Sequence, residues 1–441
     1  MPHPSLVLWN GNNENLWGFR DWDWEPGLRG DSWGGGYYLD LLPRVVAELD
    51  PTRPYTAGSP WSGSWDHHPN DPAHGTHHSW EVWNRRDYAE YRDSVPRFVA
   101  EFGWQAPPAL ATLRRALPGE RLAPDSPGML HHQKAEDGNG KLNRGVARHF
   151  TPSEDDFDRW HYLTQVVQAR AVAAGIEHWR SHWPVCAGTV VWQLNDCWPV
   201  SSWSAVDGDG RPKPLYHELR RVYADRLLTL QPGPDGDTGG PVLAVINQSA
   251  EPWHTAVRLR RMRADGTVLV EEVLDLTVPA RRVSRRTVPG DLVPDAPSAK
   301  EFLVADADAD SDEGEGTGGG TEEGLRALYF PVADKDFAYP APRYDVVVRT
   351  PVGPTGPADA GDGAGEGDGG SDGGGSVEVV VTAHTLVRDL LLRADRLGPD
   401  AVCDFGLRTL LPGETIRLRV RNAVDTGANA VRSAFSSVEP A

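Results

Sequence analysis

The chain has 441 residues with 44 basic against 63 acidic side chains, a formal charge of −19, 39% hydrophobic residues and three cysteines. That length provides for two or three domains with a buried core, and the acidic balance argues against nucleic acid or a membrane surface as partner. No apolar run approaches the ~18 residues of a membrane span, and so few cysteines cannot frame a disulfide scaffold, which makes the reducing cytoplasm the expected compartment.

Up to about residue 225, short apolar strands alternate with helical text, the pattern of an α/β unit. Strands are predicted at Leu6–Trp9, Tyr55–Ala57, Thr76–Trp80, Phe98–Phe102 and Thr189–Leu194. Between the first two, Leu39, Leu42, Val45, Val46 and Leu49 recur at helical spacing, with Pro43 near the first turn. Further helices are predicted at Ala109–Leu117, at a long segment opened by Ser153 as N-cap with Asp156 in a capping-box position, and around Leu215–Tyr223.

From about residue 226 the helical period gives way to strand text: Val242–Asn247, Ala256–Arg261, Val268–Val273, Val283–Val288, Glu301–Val304 and Ala327–Phe330. A second β unit follows with Tyr344–Arg349, Val377–Ala383, Leu390–Ala394 and Thr415–Val420. The predicted division is 1–225 α/β, 226–342 β-sandwich, 343–425 β domain and 426–441 a frayed tail. Eight acids and no base fill residues 306–323, and five more acids lie in 353–376, so 13 charges leave only −6 to the rest of the chain. Both stretches are Gly-rich and nearly free of apolar side chains, and are read as disordered inserts (306–324 and 353–376) at hairpin tips. The Asp306-Ala307-Asp308-Ala309-Asp310 run lacks the Gly and closing Glu of a calcium loop.

Sixteen of 17 tryptophans fall between Trp9 and Trp203, and 13 of 15 histidines lie at or before His217. Most tryptophans in most proteins are core. Trp17, Trp22, Trp24, Trp33, Trp61 and Trp65 sit beside Asp or Gly in loop-like text, which suggests instead a surface for an amphipathic ligand such as a sugar ring. In that same region two strand ends finish in a carboxylate, Trp9-Asn10-Gly11-Asn12-Asn13-Glu14 and Ala100-Glu101-Phe102-Gly103-Trp104-Gln105. Two carboxyls meeting beside aromatic platforms suit glycosidic-bond cleavage, one protonating the leaving oxygen and the other attacking the anomeric carbon. Either Glu alone is as well explained by an ion pair or a cap.

These two segments resemble the acid/base and nucleophile motifs of the family 2 glycoside hydrolases, in the W-x-G-N-N-E form of the β-mannosidases. His78-Ser79-Trp80 and Val191-Trp192-Gln193-Leu194-Asn195-Asp196-Cys197-Trp198 are similar to the family's sixth and eighth barrel strands, and Arg211–Tyr223 to its closing helix. The resemblance implies a partial (β/α)8 TIM barrel, strands four to eight, followed by two immunoglobulin-like β-sandwich domains. It implies a retaining exo-acting hydrolase of terminal β-D-mannose, with Glu14 as acid/base, Glu101 as nucleophile and Asn13 near the sugar 2-hydroxyl. His78, Trp80 and Trp192 would line the subsite, and Trp22 or Trp24 would close over it. No cofactor and no metal are implied, and the partners would be β-mannoside oligosaccharides or glycans. β-Galactosidases and β-glucuronidases of the family share both Glu residues, and from another class a catalytically idle carbohydrate-binding chain remains open.

A complete barrel has eight strands in ~250 residues, whereas five precede residue 200. The expectation is therefore a chain starting just before the fourth strand, with open parallel edges that invite a missing N-terminal half or self-association, and with poor turnover in isolation. Export stays open for the same reason. Among the remaining clusters, His67, His68, His74, His77 and His78 lack the H-E-x-x-H spacing and a neighbouring Cys, and are read as loop and subsite histidines. His131-His132-Gln133 divides evenly between a substrate contact and a structural loop. Cys197 is read as a buried, inert thiol. The Gly-rich tracts have no phosphate-cradling G-x-x-x-x-G-K-[ST] pattern.

Overall fold

Five short strands carry the first part of the chain: β1 (Trp9–Asn10), β2 (Tyr55–Thr56), β3 (His77–Ser79), β4 (Val99–Phe102) and β5 (Thr189–Val191). All pair in parallel, β1 with β2 and β4 between β3 and β5. The last four lie inside predicted strands but are shorter, whereas β1 shares only Trp9 with the predicted Leu6–Trp9 and runs on to Asn10. The computed structural model describes residues 3–152, 155–233, 240–307, 325–349 and 375–440.

Helix Phe157–Ser181 is the hub. Its side chains are buried on nearly every face, including Tyr162, Leu163, Val166, Val172, Ile176 and Trp179, as expected for a helix packed on all sides. Asp156 is its N-cap and accepts from the Arg159 amide, so the predicted cap moves three residues on; Ser153 lies outside the described residues. Phe102 and Tyr91 pack edge-on against Trp179, which fixes the helix beneath β4. Arg170 reaches out of it to Asp334 and Asp389, and Tyr162 donates to the Asp389 carbonyl, so the helix also anchors both β regions.

The first β region pairs β6 (Arg226–Gln231), β7 (Val242–Asn247) and β10 (Arg282–Thr287) in one antiparallel sheet. A second sheet holds β8 (Trp253–Arg263), β9 (Val268–Val278), β11 (Glu301–Ala307) and β12 (Leu325–Tyr329). Leu228, Leu243 and Val245 meet Trp253, Val257, Leu259 and Val278 between them. In the next region β13 (Tyr344–Arg349), β14 (Gly375–Ala383), β16 (Val402–Cys403) and β18 (Thr415–Ala423) face a smaller sheet of β15 (Val387–Leu392), β17 (Arg408–Leu410) and β19 (Phe435–Ser436). β6 was not anticipated: the strand text was recognised from about residue 226, but the first strand drawn from it was Val242–Asn247.

Three expectations need correction. The end of the chain is not frayed: helix Ala428–Ser433 and β19 pack on the last β region, with Val431, Ala434 and Val438 buried. Its small and polar text hides this, since the burial comes from pairing with β15 and from Arg159 donating to the Ser437 carbonyl. The acidic stretches begin and end differently as well. Asp306 belongs to β11, paired with Arg326 at 2.6 Å and with Arg260, and Gly375 and Ser376 belong to β14, while 308–324 and 350–374 lie outside the described residues. Finally, the helical stripe predicted around Leu39–Leu49 forms, as a π-turn Gly36–Leu41 running into helix Leu42–Leu49, yet Leu39 and Leu49 are 50% and 66% exposed. Amphipathic spacing predicted the helix correctly, but its apolar stripe is only partly covered: Leu42 and Val46 are half-buried, whereas Val45 is 39% exposed.

Candidate active site

The two carboxylate motifs are delivered by the C-terminal ends of β1 and β4. Gly11 lets the first strand end approach the second closely: a Cβ there would stand 2.4 Å from the Tyr55 hydroxyl and 2.5 Å from the Ala57 carbonyl oxygen. Gly103 does the same beyond β4, where a Cβ would meet the Trp192 carbonyl oxygen at 2.1 Å. Asn12 donates to the Ala57 carbonyl (2.6 Å) and accepts from the Asn15 amide (3.1 Å), which ties the first motif to the β2 strand end. Glu14 then turns into the left-handed region (φ 60°) as helix Asn15–Asp21 begins, with its amide donating to the Ser59 carbonyl at 2.7 Å. A non-glycine residue held there is strained and needs its surroundings to hold it, a feature that clusters at functional sites.

Glu14 and Glu101 converge on one imidazole. His78 Nδ1 lies 2.8 Å from Glu14 Oε1 and 3.2 Å from Glu101 Oε2, and one ligand-capable atom from each of the three side chains falls within 4.8 Å of the other two. The other His78 nitrogen meets the Ser59 hydroxyl at 2.8 Å. His78 is 2% exposed. Burial opposes its charge, but the hydrogen bonds and negative charge of Glu101 and Glu14 win and hold its pKa above the usual histidine value. Trp80 Nε1 donates to Glu101 Oε2 at 2.8 Å, and the Trp80 ring stands edge-on to Trp203 at 5.8 Å.

Four residues expected from the sequence thus share one constellation: Glu14, His78, Trp80 and Glu101. Asn13 is exposed beside Glu14, with no protein hydrogen bond to its side chain among the described residues. Trp192, 44% exposed, follows β5, with its amide donating to the Phe102 carbonyl at 2.8 Å. Trp22 and Trp24 stand edge-on to each other and are 40% and 42% exposed. Neither touches the constellation; Trp17, which packs against Trp22, sets its ring edge-on to His78 at 6.5 Å instead.

Sequence reasoning placed Trp17 on a sugar-binding surface without its contact to His78, and missed Ser59, Asn70 and Trp203 around the site. Asn70 is the least guessable: it accepts from the His78 amide (2.8 Å) and donates to the His78 carbonyl (2.9 Å) across a loop. Cys197 is exposed rather than buried. Gln193 and three acceptor contacts of Asp196 turn inward (from Gln193, Ser202 and Ser204), leaving the intervening positions of this surface loop, Trp192, Leu194 and Cys197, pointing out. The His131–Gln133 segment is tied to the structure, His132 to the Pro199 carbonyl and Gln133 to Asn139.

Known proteins resemble the chain in sequence and in fold. No family model matches the chain. Over 242 residues it is 35% identical to β-mannosidase B of Thermothelomyces thermophilus, covering 50% of this chain and 28% of that protein. β-Mannosidase B of Neosartorya fischeri is 35% identical over 235 residues, with the same two coverages. Among solved structures, the β-D-mannosidase of Dictyoglomus thermophilum superposes with a TM-score of 0.78 at 27% identity, over 99% of this chain and 48% of that one. The exo-chitosanase of Amycolatopsis orientalis shares the fold at a TM-score of 0.58 and 15% identity, over 99% of this chain and 51% of that one. The chain is thus similar in sequence to β-mannosidases and shares the multidomain fold of a β-D-mannosidase. It spans 28% of the curated relatives it matches and about half of the solved β-D-mannosidase. Among the described residues, no helix is long and apolar enough to cross a membrane.

Proposed function

We propose that the chain carries the catalytic pair of a retaining, exo-acting β-mannosidase. The observation that carries this reading is the convergence of Glu14 and Glu101 on His78, with one carboxylate oxygen of each Glu and one His78 nitrogen inside 4.8 Å of one another. Retaining glycosidases hold their two carboxyls ≈ 5–5.5 Å apart, whereas inverting ones need ≈ 6.5–9.5 Å to admit a water. Glu101 attacks the anomeric carbon as Glu14 gives its proton to the departing oxygen, leaving a mannosyl ester on Glu101. Glu14 then takes a proton from water, whose oxygen attacks the same carbon and releases Glu101. Trp80 fixes Glu101 by its indole N–H, and His78 holds both carboxyls in register. Asn13 meets the 2-hydroxyl region, Trp192 forms an aromatic wall, and Trp22 or Trp24 closes over the sugar.

In this reading β1 to β5 are barrel strands four to eight of a (β/α)8 catalytic domain ending near residue 225. Two immunoglobulin-like sandwiches follow, divided near residue 342, and the last includes the chain's end. The substrate is a terminal β-D-mannoside of an oligosaccharide or glycan. A second reading, sugar binding without turnover, rests on the exposed rings of Trp22, Trp24 and Trp192, which offer a stacking surface that needs no catalysis.

The test is a panel of aryl glycosides with the purified chain and its Glu101→Ala variant. Slow release from the β-mannoside, still above that from the β-galactoside and β-glucuronide and lost in the variant, is expected. Preference for either rival sugar overturns the mannoside assignment, and mannoside binding without release favours the second reading.

A further inference from the structure

A second group of side chains lies one loop away from the carboxylate pair. Between β2 and β3 the chain makes two successive turns, the Asp71 amide donating to the His68 carbonyl (3.0 Å) and the His74 amide to the Asp71 carbonyl (3.2 Å). Turns closed at this i to i+3 spacing bring residues three apart onto one side. Asp71 and His74 therefore face the same way, and His67 joins them from four positions before Asp71. The His67 and His74 rings stack with centroids 3.8 Å apart. Their Nδ1 atoms lie 4.0 and 3.1 Å from the same oxygen, Asp71 Oδ2. The other Asp71 oxygen is taken by the Ala73 amide at 2.8 Å, which fixes the carboxylate.

We propose that His67, Asp71 and His74 bind a divalent transition-metal cation of the zinc type. Two imidazole nitrogens and one carboxylate oxygen are the donor set such an ion takes, with water completing the tetrahedron. Bonds of ~2.0–2.1 Å require donor atoms about 3.3 Å apart along each edge of the tetrahedron. The observed 3.1 and 4.0 Å bracket that value, and the half-exposed rings are free to splay from their stack to reach it. The one hydrogen bond that binding replaces, His74 Nδ1 to Asp71 Oδ2, lies inside the cluster itself.

The location gives the ion a consequence. Asn70 lies inside the chelated segment and clamps the backbone of His78 on both sides, while the His77 ring meets the Asn70 carbonyl at 3.1 Å. A cation joining His67 to His74 staples the loop that sets His78. Its binding depends only on the three donors and stands apart from the activity assigned to Glu14 and Glu101.

The experiment is calorimetric titration of the chelator-treated full chain with zinc chloride, repeated on His74→Ala, Asp71→Asn and Glu14→Gln. The expected result is one zinc per chain, a loss of at least about tenfold in affinity in the first two variants, and unchanged binding in the third. Asp71→Asn keeps the oxygen that accepts from Ala73, so it remains informative if circular dichroism shows His74→Ala unfolded. A folded wild type that binds no zinc up to about 0.1 mM overturns the proposal. So does binding that survives Asp71→Asn or disappears in Glu14→Gln, since the ion would then sit elsewhere.

Discussion

Glu14 and Glu101 lie 87 residues apart in the sequence, yet both reach one nitrogen of His78, at 2.8 and 3.2 Å. That nitrogen has one proton to share between two carboxylates, so imidazole charge and carboxylate position are linked. Several consequences can be measured.

The indole of Trp80 is the only direct protein donor to Glu101 besides His78 among the described residues. Trp80→Phe keeps a ring against Trp203 but removes that N–H. Hydrogen bonds to charged groups contribute about 1.5–3 kcal/mol, so the rate of aryl-mannoside release should fall about ten- to a hundredfold. Thermal melting should shift little, and a large loss of melting temperature with unchanged rate would contradict the assignment.

The raised pKa of His78 sets a sign for stability against pH. Its folded value lies above 6.5 because Glu101 and Glu14 outweigh burial. The folded state therefore holds the proton more tightly than the unfolded chain. The stabilisation from His78 is complete below about pH 6.5 and is lost as pH rises through the folded value. Urea unfolding of wild type and His78→Gln at pH 5.5 and 8.5 reads this directly: the difference between them should shrink at the higher pH.

Lys213 has the opposite sign. It is buried with Nζ donating to the Ala106 carbonyl (3.2 Å) and the Ser202 carbonyl (3.4 Å), and burial pulls its pKa down to about 7 despite Asp196 and Asp207. Between pH 7 and about 10 the unfolded chain binds a proton that the folded chain does not, so stability should rise with pH by up to about 1.4 kcal/mol per unit. Lys213→Met should flatten that rise in urea unfolding curves collected across the range.

Arg170 joins helix Phe157–Ser181 to both β regions through Asp334 (2.6 Å) and Asp389 (2.7 Å), with all three side chains at most 14% exposed. Removing one member of a buried charge cluster strands the rest, at a cost of about 3–5 kcal/mol. Arg170→Met should therefore unfold at markedly lower urea, and Arg170→Met with Asp334→Asn and Asp389→Asn should recover part of the loss.

How much of this was legible in the sequence follows from where each partner sits. Glu14, Glu101, His78 and Trp80 were readable because each lies in a short contiguous motif at a strand end. The contacts of Trp17, Ser59, Asn70 and Trp203 with His78 and Trp80 were not: they depend on loop paths that no local period encodes. Most of the parallel strands were found from short runs of β-branched and apolar residues, though the ladders are shorter than those runs and β1 starts only at Trp9. The ordered end of the chain was missed because Ala428–Ser433 has weak propensity and gains its burial only against β15. The tryptophans divided in a way composition could not show, Trp83, Trp104 and Trp179 into the core and Trp22, Trp24 and Trp65 toward solvent.

The stereochemistry of the first product tests the central claim most directly. Proton NMR of an aryl β-mannoside incubated with the purified chain should show β-mannose appearing before its anomer, with no release in Glu101→Ala. Initial α-mannose, or release that persists in Glu101→Ala, would contradict a retaining pair formed by Glu14 and Glu101.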